Sequence, residues 1–161
     1  MKKVINHDVF GEIIYDESFW TGKKTITLNG QVATKVDKNT YVTANGQTIT
    51  IKGGFFTGSS ATISGETVVL VPPFKWYEYV MALLPIVFVL IWGNVPALVE
   101  VFPIVGGAIG GMISAIFGLC DLLIFSKLKN VLVKIVVALA MFAACLLVCY
   151  LIALAILSAV A

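Results

Sequence analysis

The sequence predicts a small all-β domain followed by an α-helical transmembrane domain of three spans. Two observations predict this fold class. Most of the charged, hydroxyl and turn-forming residues lie before residue 72, whereas residues 76–161 are almost continuously apolar. The whole chain is 59% hydrophobic and 12% charged, against about 45–50% and about 25% in soluble domains. We therefore expect a cytosolic antiparallel sandwich or rolled sheet over residues 1–72 and a transmembrane helical domain over residues 73–161.

Alternating side chains over residues 10–71 predict about seven or eight short antiparallel strands. At residues 25–28 and 48–51, apolar residues alternate with threonine, which is the period-two pattern of half-buried strands. The Asn-Gly dipeptides at residues 29–30 and 45–46 accept positive φ at both central positions of a hairpin turn. A domain of about 70 residues without disulfides is near the lower limit for independent stability. We therefore expect neighbouring subunits or the membrane helices to stabilise it.

Three apolar stretches are long enough to span a membrane, at about residues 76–92, 103–125 and 132–158. Pro85 removes a helix hydrogen bond inside the first stretch and predicts a kink. The connection at residues 94–102 stays apolar although it carries a proline. It predicts a short interfacial or re-entrant helix between the first and second spans.

The second span carries two rows of small residues at helical spacing. The first row is Gly106, Gly110, Ser114 and Gly118, and the second is Gly107, Gly111 and Ala115. Small faces of this GxxxG kind let helices approach closely in lipid, where packing drives association. We expect the first row to be the helix-packing seam, either within one subunit or between subunits, and we expect a homo-oligomer.

The ends of the spans predict the orientation in the membrane. The expected interface anchors are Lys75, Trp76, Tyr77, Trp92, Lys127 and Lys129. Lysines flank the start of the first span and the break after the second, whereas the break between the first two spans has none. The positive-inside rule then places the β domain in the cytoplasm and the C-terminus outside, in the inner (plasma) membrane of the cell. The first span is expected to act as the targeting signal, because no signal-peptide core precedes it.

Asn94, Glu100 and Asp121 form the candidate intramembrane polar site. Asp121 lies well inside an apolar stretch, and intramembrane ionisable residues are functional candidates. We expect Asp121 to be an interfacial carboxylate paired with Lys127, and the alternative is a proton or ion relay. Asn94 and Glu100 are expected to face a vestibule or the outside water.

The sequence does not predict a catalytic, cofactor or metal site. His7 beside Asp8 lacks an assigned nucleophile, so we interpret this pair as a solvated turn. Cys120, Cys145 and Cys149 lie in apolar segments and are interpreted as packing residues, because further metal ligands are not near them. A net charge of +2 and the absence of arginine argue against nucleic acid. The expected partners are the lipid bilayer, further copies of the chain and a protein bound by the β domain.

Two pairs of adjacent residues in the β domain, two phenylalanines and two lysines, are interpreted as structural or surface residues. Phe55 and Phe56, which lie beside glycines, are interpreted as core or interface residues. Lys23 and Lys24 form only a weak patch for anionic lipid.

Four stretches of the membrane half, KWYEYV, IWGNVPAL, FPIVGGAIGG and GLCDLLIF, carry a resemblance to a known group. Residues 75–161 resemble small, uncharacterised three-span membrane proteins of Gram-positive bacteria with a β-rich N-terminal part. The resemblance implies a bacterial membrane location and a double-glycine second span. Many members of the group are similar except that they carry asparagine at the position of Asp121, which speaks against a proton relay. The resemblance implies no activity.

These observations together predict a non-enzymatic integral membrane protein, an oligomeric scaffold that displays a cytosolic β domain. One alternative is a small oligomeric channel or transporter subunit whose polar residues face a lumen. Another is a membrane-tethered sensor or adaptor that binds a protein or lipid through the β domain.

Overall fold

The structure consists of two compact units that divide the chain after Phe74. It is a computed structural model and describes residues 2–160. The first unit is Met1–Phe74 and the second is Lys75–Ala161. The predicted fold class is confirmed, because two antiparallel sheets precede helices of which three are long and apolar enough to span a membrane.

Nine strands form two antiparallel meanders in the described part of the first unit, against seven or eight expected. They are β1 (Lys2–His7), β2 (Gly11–Glu17), β3 (Lys24–Leu28), β4 (Gln31–Val32), β5 (Thr34–Lys35), β6 (Thr40–Val42), β7 (Thr48–Gly54), β8 (Gly58–Ile63) and β9 (Glu66–Val71). The sheet orders are β1-β2-β3-β4 and β5-β6-β7-β8-β9. Within each sheet, paired strands are therefore adjacent in the sequence, and the chain passes to the second sheet between β4 and β5.

The two Asn-Gly dipeptides form different turns. At the first, φ is 49° for Asn29 and 80° for Gly30, so both central residues are left-handed, as a tight hairpin between β3 and β4 requires. At the second, only Gly46 has a positive φ, 78°. The β6–β7 connection is a longer loop over residues 43–47, closed by the Thr43 hydroxyl, which accepts the Gln47 N–H at 3.1 Å.

The two sheets share one apolar core. Ile13 and Ile26 from the first sheet and Ile49 and Ile63 from the second are fully buried in it. Alternate residues of each strand point to the same face of a sheet, which is why the threonines between these isoleucines are less buried. Each buried isoleucine contributes about 1.5–3 kcal/mol relative to an exposed one.

The second unit contains four helices over its described residues. They are α1 (Trp76–Asn94), α2 (Pro96–Val101), α3 (Gly107–Phe125) and α4 (Val131–Val160). α1 and α3 have 19 residues each and α4 has 30. At about 1.5 Å per residue these helices are about 28 Å and about 45 Å long, and a bilayer core is about 30 Å thick. Their length and composition are compatible with an integral membrane protein that has three candidate spans.

The helix ends differ in detail from the predicted spans. α1 runs without a break through Pro85, and α2 is a short helix in the expected connection. α3 begins at Gly107 and not at Pro103. The segment before it is joined to the end of α1, because the indole N–H of Trp92 donates to the Phe102 carbonyl at 2.9 Å.

α1 and α3 pack antiparallel with their backbones in direct contact. A Cβ added to Gly106 would collide with the backbone of Gly93, and a Cβ added to Gly118 would collide with the Ala82 carbonyl. Only glycine permits this distance at either level, so these two positions set how closely the helices approach.

Candidate functional site

Each membrane-length helix brings one charged side chain to the same end of the helical unit. They are Glu78 in α1, Asp121 in α3 and Lys134 in α4. Gly118 lies against Ala82, and because α1 and α3 are antiparallel, Asp121 and Glu78 both lie about one turn further toward this end. Lys134 reaches the same level, since its ammonium group contacts the Glu78 carboxylate. We call these three residues the charged cluster.

Glu78 and Lys134 form a buried ion pair between α1 and α4. Their side chains are 4% and 11% exposed. The Lys134 ammonium donates to Oε1 of Glu78, and Oε2 of the same carboxylate accepts the Lys75 N–H at 2.6 Å. A buried pair is retained only when the remaining lone pairs are also satisfied. The Glu78 carboxylate meets that condition.

Asp121 is the exception in the charged cluster. Its side chain is completely buried, and among the described residues neither carboxyl oxygen has a hydrogen-bond partner. A polar group removed from water without a compensating hydrogen bond destabilises the fold by about 1–3 kcal/mol in mutational data. Such a side chain inside a membrane-length helix is a candidate for proton or cation binding.

The expected pairing of Asp121 with Lys127 is wrong. α3 ends at Phe125, and the chain then turns, which carries Lys127 to an exposed position. Asp121 lies instead on the buried face of α3, three residues after Gly118 and seven after Ser114, and the helical repeat places these three residues on one side. The rotation of α3 about its axis therefore turns the carboxyl away from the lysine.

The first row of small residues faces α1 in the same chain. Gly110, Ser114 and Gly118 are buried, and the Ser114 hydroxyl donates to the Gly110 carbonyl at 2.7 Å. Of the two arrangements expected for this row, the structure has the one within the chain, and α1 fills the space that the missing side chains leave.

The second row of small residues is less enclosed. Gly107, Gly111 and Ala115 are half-buried. Ala115 lines a groove between α1 and α3 with a volume of about 270 Å³, whose other walls include Leu83, Ile86 and Leu119. The wall is entirely apolar at its accessible surface, which suits a lipid chain or another helix.

Asn94 and Glu100 do not join Asp121. They lie at the opposite end of the helical unit, where α1 ends and α2 follows. The Asn94 side-chain amide donates to the Leu90 carbonyl of its own helix at 2.6 Å, and Glu100 is exposed in α2. The three predicted polar residues therefore belong to two separate places.

The predicted interface anchors lie at both ends of the helical unit. Those at the end with the charged cluster are exposed or half-exposed: Lys75, Trp76, Tyr77, Lys127 and Lys129. The Lys75 ammonium lies 5.9 Å from the centre of the Tyr77 ring. Trp92 lies at the other end, where its indole N–H makes the hydrogen bond to Phe102 described above.

The cysteines of α4 are packing residues. Cys145 and Cys149 are fully buried and contact Val89 and Ile104 in one apolar cluster, whereas Cys120 of α3 is half-buried. Across residues 2–160, no group of three or more histidine, cysteine or acidic side chains is placed to hold a metal ion.

The β unit contains a buried polar network that the sequence did not reveal. The Tyr15 hydroxyl donates to Oε2 of Glu17 at 2.8 Å and lies 3.2 Å from the Ser59 hydroxyl. Burial raises the pKa of Tyr15 above its ordinary value, and it also raises the pKa of Tyr41. The Tyr41 hydroxyl donates to the Lys24 carbonyl at 3.2 Å. The network joins strands of both sheets across the core.

His7 lies beside an acid from another strand. Its Nε2 atom is 3.7 Å from Oε1 of Glu66 in β9, and its ring stacks on Phe10 at 5.1 Å. The neighbouring Asp8 lies in the turn after β1. The contact links the last residue of β1 to the first residue of β9.

Sequence reasoning missed Glu78 and Lys134, although a signal was present. Each lies in the first turn of a helix, and with three spans the first and third helices start on the same side of the membrane. An acid and a lysine at equivalent depth in two such helices are candidates for a pair. The sequence did not predict that Asp121 would be left out of it.

Searches against known protein families, curated proteins and solved structures find no match to this chain. The resemblance to the Gram-positive three-span group therefore stays a prediction.

Proposed function

We propose that this protein is a non-enzymatic membrane scaffold that holds its β domain at the cytoplasmic surface of the plasma membrane. The observation that carries this proposal is the short connection into the helices. β9 ends at Val71 and α1 begins at Trp76, so only residues 72–75 intervene, and two of them are prolines. At about 3.3–3.6 Å per extended residue the connection reaches less than about 20 Å. The β domain is thereby kept close to the bilayer.

The orientation is tested by proteolysis of membrane vesicles that contain the full chain. We expect protease to remove the β domain from inside-out vesicles and to leave it intact in right-side-out vesicles. The lysines at the charged-cluster end of the helices support this expectation, because positive residues stay in the cytoplasm. Digestion only in right-side-out vesicles would contradict the proposal.

The scaffold is proposed to be a homo-oligomer. The second row of small residues, Gly107, Gly111 and Ala115, supports this proposal because it is only half-buried. Ala115 also lines an apolar groove that could accept a helix of another copy. Native mass spectrometry of the complex released from its own membrane measures the assembly. We expect a closed homo-oligomer that is lost on Ala115→Leu, whereas Val136→Leu, at an exposed position of α4, should leave it intact. If the Ala115→Leu and Val136→Leu variants were both monomeric, this part of the proposal would be overturned.

A specific observation favours a second function, proton- or cation-linked transport through Asp121. The Asp121 carboxyl supports this function, because it is completely buried and has no hydrogen-bond partner among residues 2–160, and a proton or a cation would compensate it. In liposomes that carry the full chain, a pH gradient should drive an ion flux that Asp121→Asn abolishes. Glu100→Gln is the matched control, because Glu100 is an exposed acid at the other end of the unit. Absence of flux in the unmodified protein would exclude this function.

A further inference from the structure

Five aromatic side chains gather at one end of the β unit. They are Phe19 and Trp20 in the β2–β3 loop, Phe55 and Phe56 in the β7–β8 loop, and Phe74 at the end of the unit. The Phe19 ring lies 5.1 Å from both the Trp20 and the Phe55 rings, and the Phe55 ring lies 5.5 Å from the Phe74 ring. We call this group the aromatic tip.

Two members of the aromatic tip are exposed at the protein surface. Phe55 is buried with 7% of its surface exposed, whereas Trp20 is 87% and Phe56 is 42% exposed. Burial of a large aromatic side chain is among the strongest apolar contributions available to a protein. An exposed indole and an exposed phenyl ring that both lie beside Phe19, at 5.1 and 6.1 Å from its ring, therefore fit a surface that is covered by a partner.

The loops that carry the aromatic tip are fixed to each other. The Lys24 ammonium, at the end of the β2–β3 loop, donates to the Gly53 carbonyl next to the β7–β8 loop. Within the first loop, the Ser18 N–H donates to the Lys23 carbonyl at 2.9 Å. Below both loops, Tyr15 of β2 contacts Ser59 of β8. The exposed rings are thus presented by a preorganised surface.

The position of the aromatic tip along the chain indicates its partner. Phe74 belongs to the aromatic tip. The next three residues are Lys75, Trp76 and Tyr77, which are predicted interface anchors at the start of the first span. Tryptophan and phenylalanine favour the boundary between headgroups and acyl chains, and nearby lysines favour anionic headgroups. Lys23, three residues after Trp20 in the same loop, is an exposed lysine.

We propose that the aromatic tip docks into the headgroup layer of the bilayer that the helices span, with Trp20 and Phe56 as the inserted side chains. The β domain would then lie on the membrane by a second attachment besides its covalent connection. The inference rests on the membrane location given under Proposed function, and the experiment separates the two.

Trp20 itself is the reporter. The full chain has three tryptophans, and Trp76→Phe/Trp92→Phe leaves Trp20 alone. The protein is placed in vesicles of phosphatidylcholine and phosphatidylglycerol with brominated acyl chains. We expect a blue-shifted emission that the brominated lipid quenches and that aqueous acrylamide quenches weakly. Emission like that of tryptophan in water, or protection from both quenchers, would overturn the inference.

Two matched variants complete the test. Trp20→Phe/Trp92→Phe leaves Trp76, whose quenching by brominated lipid reports membrane insertion of the helices. If Trp76 is quenched and Trp20 is not, the docking inference fails and the membrane location stands, and if neither is quenched, both fail. The second variant adds Val9→Trp to the three tryptophan-to-phenylalanine changes. Val9 is 72% exposed in the β1–β2 turn, at the other end of β2, and a tryptophan there should emit as in water.

Discussion

The two units fill their interiors in opposite ways. The β unit is closed by large side chains, with Tyr15, Ile26 and Ile49 among those fully buried. In the helical unit, the contact between α1 and α3 instead depends on small residues, since Ser114 and Gly118 are buried there. In water, apolar area drives association, whereas in lipid only close packing and polar contacts remain. The choice of interior residues thus follows the solvent that each unit is predicted to meet.

The two units also differ in the hydrogen bonding of their buried carboxylates. Glu17 of the β unit is 5% exposed and accepts a hydrogen bond from Tyr15. In the helical unit Glu78 is paired, but Asp121 has no partner among the described residues. A buried carboxylate that the fold leaves unsatisfied is a local inconsistency of the kind expected at functional sites.

The largest expected effect comes from breaking the pair in the helical unit. Lys134→Met leaves the Glu78 carboxylate buried and uncompensated, and we expect it to lower the free energy of unfolding of this unit by about 3–5 kcal/mol. Unfolding in mixed detergent micelles measures the change. The double variant Lys134→Met/Glu78→Gln should recover most of the loss, and an equal loss in both variants would contradict the pairing.

The close packing of the helical unit is tested by adding one methyl group. Gly118→Ala places a Cβ against the Ala82 carbonyl, and we expect a loss of about 1–3 kcal/mol in the same assay. Gly111→Ala in the same helix is the control, because its Cβ would meet only a terminal methyl of Leu90 at 3.4 Å. Equal losses at the two positions would show that the contrast between the two rows is wrong.

Replacing Asp121 by an apolar residue should increase the stability of the helical unit. Asp121→Leu removes the buried carboxyl, and we expect the helical unit to become more stable by about 1–2 kcal/mol. Asp121→Asn keeps the shape and a polar group and should gain less. A loss of stability in both variants would mean that Asp121 has a stabilising partner.

The smallest effect concerns the satisfied network of the β unit. Tyr15→Phe removes the donor to Glu17 and should destabilise this unit by about 1 kcal/mol. The pH dependence gives a second readout, because the pKa of Tyr15 is raised by burial from 10.0. Below pH 10 the folded and unfolded chains both keep the proton. Above it the unfolded chain releases the proton more readily, so stability falls as pH rises.

Tyr15→Phe should therefore weaken the alkaline loss of stability, which is measured by thermal unfolding between about pH 8 and about pH 11. Tyr77→Phe, a tyrosine of the helical unit, serves as the control and should leave the alkaline loss in the β unit unchanged. An unchanged alkaline loss in Tyr15→Phe would show that Tyr15 is not the responsible group.

Much of the fold could be predicted from the sequence, because both units follow strong local patterns. Alternation of isoleucine and threonine indicated strands, and long apolar stretches indicated spans. β4 and β5 have two residues each, which is too short for an alternation of apolar and polar residues to be recognised in the sequence. The late start of α3 was also unpredictable, since the Trp92 hydrogen bond to Phe102 is a tertiary contact.

The candidate site was only partly predictable. Asp121 was conspicuous in an apolar stretch, but its separation from Lys127 depends on the rotation of α3 and on where the chain turns after Phe125. Glu78 and Lys134 are 56 residues apart, and no local spacing relates them. Nearness in the sequence favoured Lys127 as the partner of Asp121, and the helix geometry decided otherwise.

The meander order of both sheets has a consequence for biosynthesis. Within each sheet every strand pairs with strands adjacent in the sequence, and all-β domains fold within about milliseconds to seconds. The 87 residues of Lys75–Ala161 take about 4–17 s to synthesise at about 5–20 residues per second. In the proposed orientation, the β domain would therefore complete its folding in the cytoplasm before translation of the last helix ends.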